Sequence, residues 1–169
     1  MNEFFKTAGE KKFFKRNDFL KFPNSIDTNV YFVHEGAVKV FLLNEGEEQI
    51  IRFGYDGNIV VALDTYFTGK VSLLGIQAIR KSTISVISKQ ELVRYLTAET
   101  TGNRLWTDIL EDLILQQFER EIDILTTSPK ARYQRVLYRS PQLFQFIPLK
   151  YIANYLRMTP ETLSRLRKY

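Results

Sequence analysis

Through the first half of the chain, apolar and polar positions alternate in short runs; through the second they recur at helical spacing. VYFV (Val30–Val33), AVKVFLL (Ala37–Leu43) and QIIRF (Gln49–Phe53) are short and rich in β-branched and aromatic residues. Asn44-Glu45-Gly46 and Tyr55-Asp56-Gly57-Asn58 have turn composition, and a further apolar stretch, Ile59–Leu63, follows. SLLGIQAI (Ser72–Ile79) and TISVI (Thr83–Ile87) read as a strand pair around Arg80-Lys81-Ser82, with Ile84 and Val86 on one face and Ser85 on the other. Short strands at regular spacing predict an antiparallel barrel or jelly roll.

After this region the period changes. Ser88 is a good N-cap for a helix over Lys89–Leu96. Asn103–Leu125 predicts a long helix whose apolar residues, Leu105 to Leu125, cover a wider face than packing on one wall requires, which predicts a homodimer through this helix. Ser128-Pro129 is an N-cap with proline in the first turn, opening a helix to about Arg139. Ser140-Pro141 ends it, and Pro148 opens another to about Leu156. The chain closes on TPETLSRLRKY, where Thr159 caps a last short helix.

These two terminal segments form a helix-turn-helix pattern. Ile152, Ala153 and Leu156 share one face, Leu163 and Leu166 form the inner face of the last helix, and only Arg157-Met158-Thr159 lies between. Ala153 is small where the helices would cross. A left-handed Arg157 in the turn would cost about 1 kcal/mol. Glu161, Ser164, Arg165 and Lys168 fall on the outer face, donors and acceptors of the kind that read base edges in a major groove. Arg165 and Glu161 are the expected base readers, and Lys150, Arg167 and Lys168 the expected phosphate contacts. The capped helix start at Thr159 presents backbone N–H groups of the kind that bind phosphate. Thr162 and Ser164 complete the candidate set.

Charge reinforces this reading. Ser128–Tyr169 holds nine basic residues and one acid, Glu161, a balance of +8; Met1–Thr127 holds 15 basic and 18 acidic residues, a balance of −3. A basic tail on an acidic body attracts polyanions. The chain has no cysteine, which excludes disulfides, thiolate-held iron–sulfur clusters and a cysteine nucleophile. One histidine, His34, is too few for a cupin-type metal site, supports no haem role and leaves no catalytic constellation. The N-terminal stretch breaks its apolar pairs with charge, unlike a signal peptide, and no apolar run reaches the length of a membrane span. A cytoplasmic protein without metal or membrane partner is expected.

With these residues in place, YIANYLRMTPETLSRLRK resembles the helix-turn-helix of the Crp/Fnr family of bacterial transcription regulators, its E-T-[LV]-S-R pattern present as Glu161–Arg165. YFVHEGAVKVF looks like that family's barrel strand pair, with Glu35-Gly36 at its turn, and FGYDGNIVVALDTYFTGKVSLLGIQAI resembles its nucleotide-holding segment. The resemblance implies an α+β chain with three parts: a cyclic nucleotide-binding-like jelly-roll barrel (1–100), a long dimerisation helix (101–127) and a helix-turn-helix DNA-binding domain (128–169). It implies double-stranded DNA, a second copy of the chain, RNA polymerase and a small-molecule effector as partners. The sequence departs from the family pattern where ligand-binding members hold the ribose with Gly-Glu and the phosphate with arginine: here stand Gly57-Asn58 and, on or near the arginine position, Ser72, with Lys70 the nearest cation. A buried phosphate without a cationic partner is costly, so cyclic AMP is not the expected effector. The chain also begins without the helical lead-in usual in that family. The alternative reading is a sensor of this type acting through protein partners without DNA.

Overall fold

The computed structural model describes residues 3–98 and 102–168 and divides into two compact units, Met1–Thr100 and Thr101–Tyr169. The expected boundary between residues 100 and 101, and the final Tyr169, lie outside the described residues.

The first unit runs α1 (Glu3–Thr7), β1 (Glu10–Phe14), β2 (Phe19–Lys21), β3 (Val30–Glu35), β4 (Ala37–Asn44), β5 (Glu47–Tyr55), β6 (Ile59–Val60), α2 (Leu63–Thr68), β7 (Leu74–Ala78), β8 (Ser82–Ile87) and α3 (Lys89–Ala98). Its strands form two antiparallel sheets, ordered β1-β8-β3-β6 and β2-β7-β4-β5, the jelly-roll sandwich that the strand pattern predicts. Alternation sets the inner faces: Tyr31 and Val33 on β3, Val38 and Val40 on β4, Ile76 on β7 and Ile84 on β8 meet Val60 and Ala62 in one buried cluster. The β4–β5 hairpin closes through Glu45 and Gly46, both with positive φ (52° and 82°), as a two-residue hairpin turn requires.

Two pairings differ from expectation. Ser72–Ile79 and Thr83–Ile87 do not pair: β7 runs between β2 and β4, β8 between β1 and β3, in opposite sheets. The chain therefore changes sheet at Arg80-Lys81, a crossing that a run of turn residues does not distinguish from a hairpin. Likewise β3 and β4 are consecutive but belong to different sheets, so Glu35-Gly36 is a corner rather than the turn of a strand pair. Gly36 makes that corner at φ +110°, and a Cβ there would stand 2.7 Å from the Ser82 Cα.

Other differences are additions. A short α1 does precede the strands, and its Phe5 is fully buried, 6.4 Å from Phe32 of β3 between ring centres. That side of the sheet is thus covered, and Ser85, on the face opposite Ile84 as expected, is buried with its Oγ 2.8 Å from His34 Nε2. The stretch Ile59–Leu63 divides into β6 and the start of α2, which ends at Gly69 with φ 66°. Ser88 caps α3 as expected, its Oγ accepting from the Glu91 N–H at 3.1 Å.

The second unit is helical: α4 (Gly102–Leu125), α5 (Pro129–Arg139), α6 (Leu143–Phe146), α7 (Leu149–Tyr155) and α8 (Pro160–Leu166). Ser128 Oγ accepts from the Ala131 N–H at 3.3 Å, the expected cap of α5. Among the described residues no helix is long and apolar enough to cross a membrane.

Candidate nucleic-acid interface

α7 and α8 pack together through Ile152, Ala153, Leu156 and Leu163, all fully buried. Helix α7 stops because Arg157 turns left-handed, at φ 55°. The Arg157 N–H then reaches the Asn154 carbonyl at 3.0 Å and the Met158 N–H reaches the Ala153 carbonyl at 3.0 Å. This is the Schellman arrangement, which satisfies the last carbonyls of a helix and reverses the chain in two residues. Thr159 restarts it at once: its Oγ1 accepts from the Thr162 N–H at 3.2 Å, and Pro160 opens α8. The turn between the helices is therefore fixed at one end by backbone hydrogen bonds and at the other by the Thr159 side-chain cap.

Outside this scaffold lie Glu161, Ser164, Arg165, Arg167 and Lys168, all exposed, with Thr162 half-buried. Lys150 is exposed at the start of α7, its Nζ 4.7 Å from the Tyr151 ring centre. Arg165, Arg167 and Lys168 make no ion pair or side-chain hydrogen bond among the described residues, so their charge is available to a polyanion. Glu161 behaves differently. Its own backbone N–H, then the Thr159 hydroxyl, hold its carboxyl below the usual range; the carboxylate leans on the start of α8. Thr159 is likewise occupied as a cap.

Not all of the basic tail faces outward. Arg135 and Arg139 of α5 are paired with Glu119 and Asp123 of α4, and both acids lie on the Met1–Thr127 side of the charge count. Two of the nine cations in the +8 stretch thus pair with two acids of the long helix. The helical spacing Glu119/Asp123 against Arg135/Arg139, one turn each, is the signal that could have found them. Arg120 of α4 is also buried, its guanidinium 3.9 Å above the Tyr155 ring of α7.

The expected effector residues are in the first unit and are engaged in local structure. Asn58 Oδ1 accepts from the Tyr55 N–H at 3.1 Å, closing its own turn, and Gly57 donates to the Val33 carbonyl at 2.8 Å. Ser72 is buried and its Oγ accepts from the Leu74 N–H at 3.1 Å; Lys70 is exposed. No hydrogen bond among the described residues joins the Gly57-Asn58 turn to Lys70 or Ser72. The cation beside Ser72 is one that sequence reasoning missed, the buried Lys21: its Nζ donates to the carbonyls of Leu74 (2.7 Å), Phe22 (3.1 Å) and Ser72 (3.4 Å). Burial lowers its pKa, with Asp64 and Asp27 acting in the opposite sense. A Cβ on Gly54 would come within 2.3 Å of a Val60 methyl, and the Tyr31 hydroxyl, 2.6 Å from Asp27 Oδ2, is held protonated by burial and by that carboxylate.

Residues 11–99 match the cyclic nucleotide-binding domain family. Over nearly its whole length the chain is similar in fold to FixK2 from Bradyrhizobium japonicum, with TM-score 0.79, 16% identity, 95% of this chain and 83% of that one covered. It is similar to a transcriptional regulator of the CRP family from Thermus thermophilus, with TM-score 0.70, 16% identity and coverage of 93% and 82%. The c-di-GMP responsive global regulator CLP of Xanthomonas campestris aligns with TM-score 0.73 at 13% identity, over 98% and 88%. In sequence, a protein named NAD kinase from Natranaerobius thermophilus is 34% identical over 86 residues, 46% of this chain and 30% of that protein, so the chain spans under a third of that relative's length.

Proposed function

The chain belongs to the cyclic nucleotide-binding domain family, and from that premise we propose that it is a sequence-specific DNA-binding transcription regulator of the Crp/Fnr type, not an enzyme. The observation that carries this is the capped, tightly turned α7–α8 pair presenting Arg165, Arg167 and Lys168 outward, with no ion pair or side-chain hydrogen bond among the described residues. In this reading α8 enters the major groove, Arg165 reads a base edge with its planar fork, and Lys150, Arg167 and Lys168 hold phosphates. The chain works in the cytoplasm as a homodimer joined along α4, where Ile114, Phe118, Ile122 and Leu125 form an exposed stripe spaced four, four and three residues apart. RNA polymerase is the partner downstream. The barrel senses something other than a cyclic nucleotide, since neither a carboxylate nor an arginine stands at the ligand positions.

The test begins by selecting duplexes from a random library with the full chain. A two-fold symmetric consensus is expected, its half-sites about one helical turn apart. Recovery of no consensus, with weak and sequence-blind binding, would move the assignment to a sensor that acts through protein partners.

A further inference from the structure

The joint between α4 and α5 is spanned by an ionic clasp that DNA contact does not require. Only residues 126–128 separate the two helices. Across them, Arg135 donates through Nη2 to Glu119 Oε2 at 2.9 Å and through Nε to Asp123 Oδ1 at 3.1 Å. Arg139 donates through Nη1 to Glu119 Oε2 at 2.9 Å and through Nη2 to Asp123 Oδ2 at 2.5 Å. The Asp123 side chain has no exposed surface. Beside it, Arg120 lies on the Tyr155 ring, which ties α7 to the same end of α4.

We propose that Glu119 and Asp123 are positioning residues for DNA recognition: they fix the angle between the apolar stripe of α4 and the helix-turn-helix, and thereby the separation at which a dimer offers its two α8 helices. This rests on the reading of the chain as a dimeric DNA-binding protein. The physical case is geometric. Two planar guanidinium forks, each bound to both carboxylates, constrain rotation as well as distance. A buried carboxylate that loses its partners is strongly disfavoured, so the joint has no comfortable intermediate angle. In a two-fold dimer any error at the joint is applied twice at the recognition helices.

The proposal opposes what charge alone predicts. Asp123→Asn removes a negative charge and leaves two arginines to share Glu119 alone, so bulk electrostatics would tighten binding to every duplex. Positioning predicts instead that discrimination between spacings is lost. The experiment uses the full chain and the half-sites selected by the wild type, with the spacer between them lengthened or shortened one base pair at a time, read by fluorescence anisotropy. The wild type should favour one spacing over its neighbours by about tenfold, the cost of a single mismatched contact. Asp123→Asn should lower that ratio towards one while binding of scrambled duplex is unchanged or stronger. An unaltered spacing ratio overturns the proposal. Glu119→Gln, at the half-exposed carboxylate, makes the same measurement if Asp123→Asn does not fold. Should the wild type select no sequence, it is the DNA-binding reading that fails. Amide hydrogen exchange over residues 125–132, without DNA, then judges the clasp: faster exchange in the variant supports it and equal exchange overturns it.

Discussion

Arg157 holds a position at which a side chain is a liability. The left-handed backbone that turns α7 into α8 is disfavoured for any residue with a Cβ, and Arg157 also adds like charge beside the buried Arg120. Arg157→Gly should therefore raise stability by about 0.5–1 kcal/mol, seen as a higher Tm in thermal melts; a lower Tm would mean that the guanidinium makes contacts worth more than the strain. On α8, Arg165→Ala should cost about 1–3 kcal/mol on the selected site and relax specificity at one position, whereas Lys168→Ala should weaken all duplexes alike and reduce the salt slope by about one. Equal loss on operator and scrambled duplex after Arg165→Ala would remove Arg165 from base readout. His34 gives a pH signature. Burial, then the charge of Lys11, lowers its pKa below the ordinary 6.5. The unfolded chain then binds the proton more readily than the fold, so this group costs stability as pH falls through 6.5 towards the folded value, and nothing above it. His34→Gln should flatten that acid-side loss in urea titrations across the same window; an unchanged slope would assign it to other groups.

At the scale of elements, the second unit was more legible than the first. Helix ends are written locally: Ser128-Pro129, Thr159-Pro160 and the turn at Arg157 each act within four residues, and the caps sit where the sequence puts them. Strand partners are not local. Arg80-Lys81 reads as a hairpin because its composition suits one, yet the chain crosses between sheets there, a choice made by which inner face Ile76 and Ile84 must fill. The clasp was hidden for a related reason: Arg135 and Arg139 were legible as charge, but their neutralising acids lie 12 to 20 residues away on another helix. Lys21 was hidden because nothing in FLKF distinguishes a buried lysine from a solvated one. Its Nζ holds three carbonyls at the segment where a ligand phosphate would need a free cation. With Asn58 closing its own turn and Lys21 held by three backbone carbonyls, calorimetry with cyclic AMP and cyclic GMP should show no binding at micromolar concentrations. A Kd of about 1 μM or tighter, some 8 kcal/mol of affinity, would require the segment around Ser72 to rearrange and Lys70 or Lys21 to turn to the phosphate.

For the molecule as a whole, the decisive surface is the one α4 leaves uncovered. Ile114, Phe118, Ile122 and Leu125 are 46–72% exposed, a continuous apolar stripe of a kind that monomers rarely carry on a long helix. A two-fold dimer along this stripe brings Phe118 into the interface from both protomers. Burying a phenylalanine is worth about 1.5–3 kcal/mol, so removing it from both protomers forfeits about 3–6 kcal/mol, or roughly two to four powers of ten in the dimer dissociation constant. Phe118→Glu adds two carboxylates to the same apolar seam and moves the outcome to the upper end. Because the side chain points away from its own helix's buried positions Leu113, Arg120 and Asp123, the monomer should keep its fold, with an unchanged helical signal by circular dichroism. Sedimentation should show the wild type dimeric and Phe118→Glu monomeric at micromolar concentration. DNA binding should then follow the assembly: affinity for a two-fold site falls because the second half-site must be found by a second, independent event, while binding to a single half-site is unaltered. A Phe118→Glu protein that sediments as a dimer, or a wild type that sediments as a monomer with and without DNA, would place the subunit contact elsewhere and leave the stripe on α4 without its assigned role.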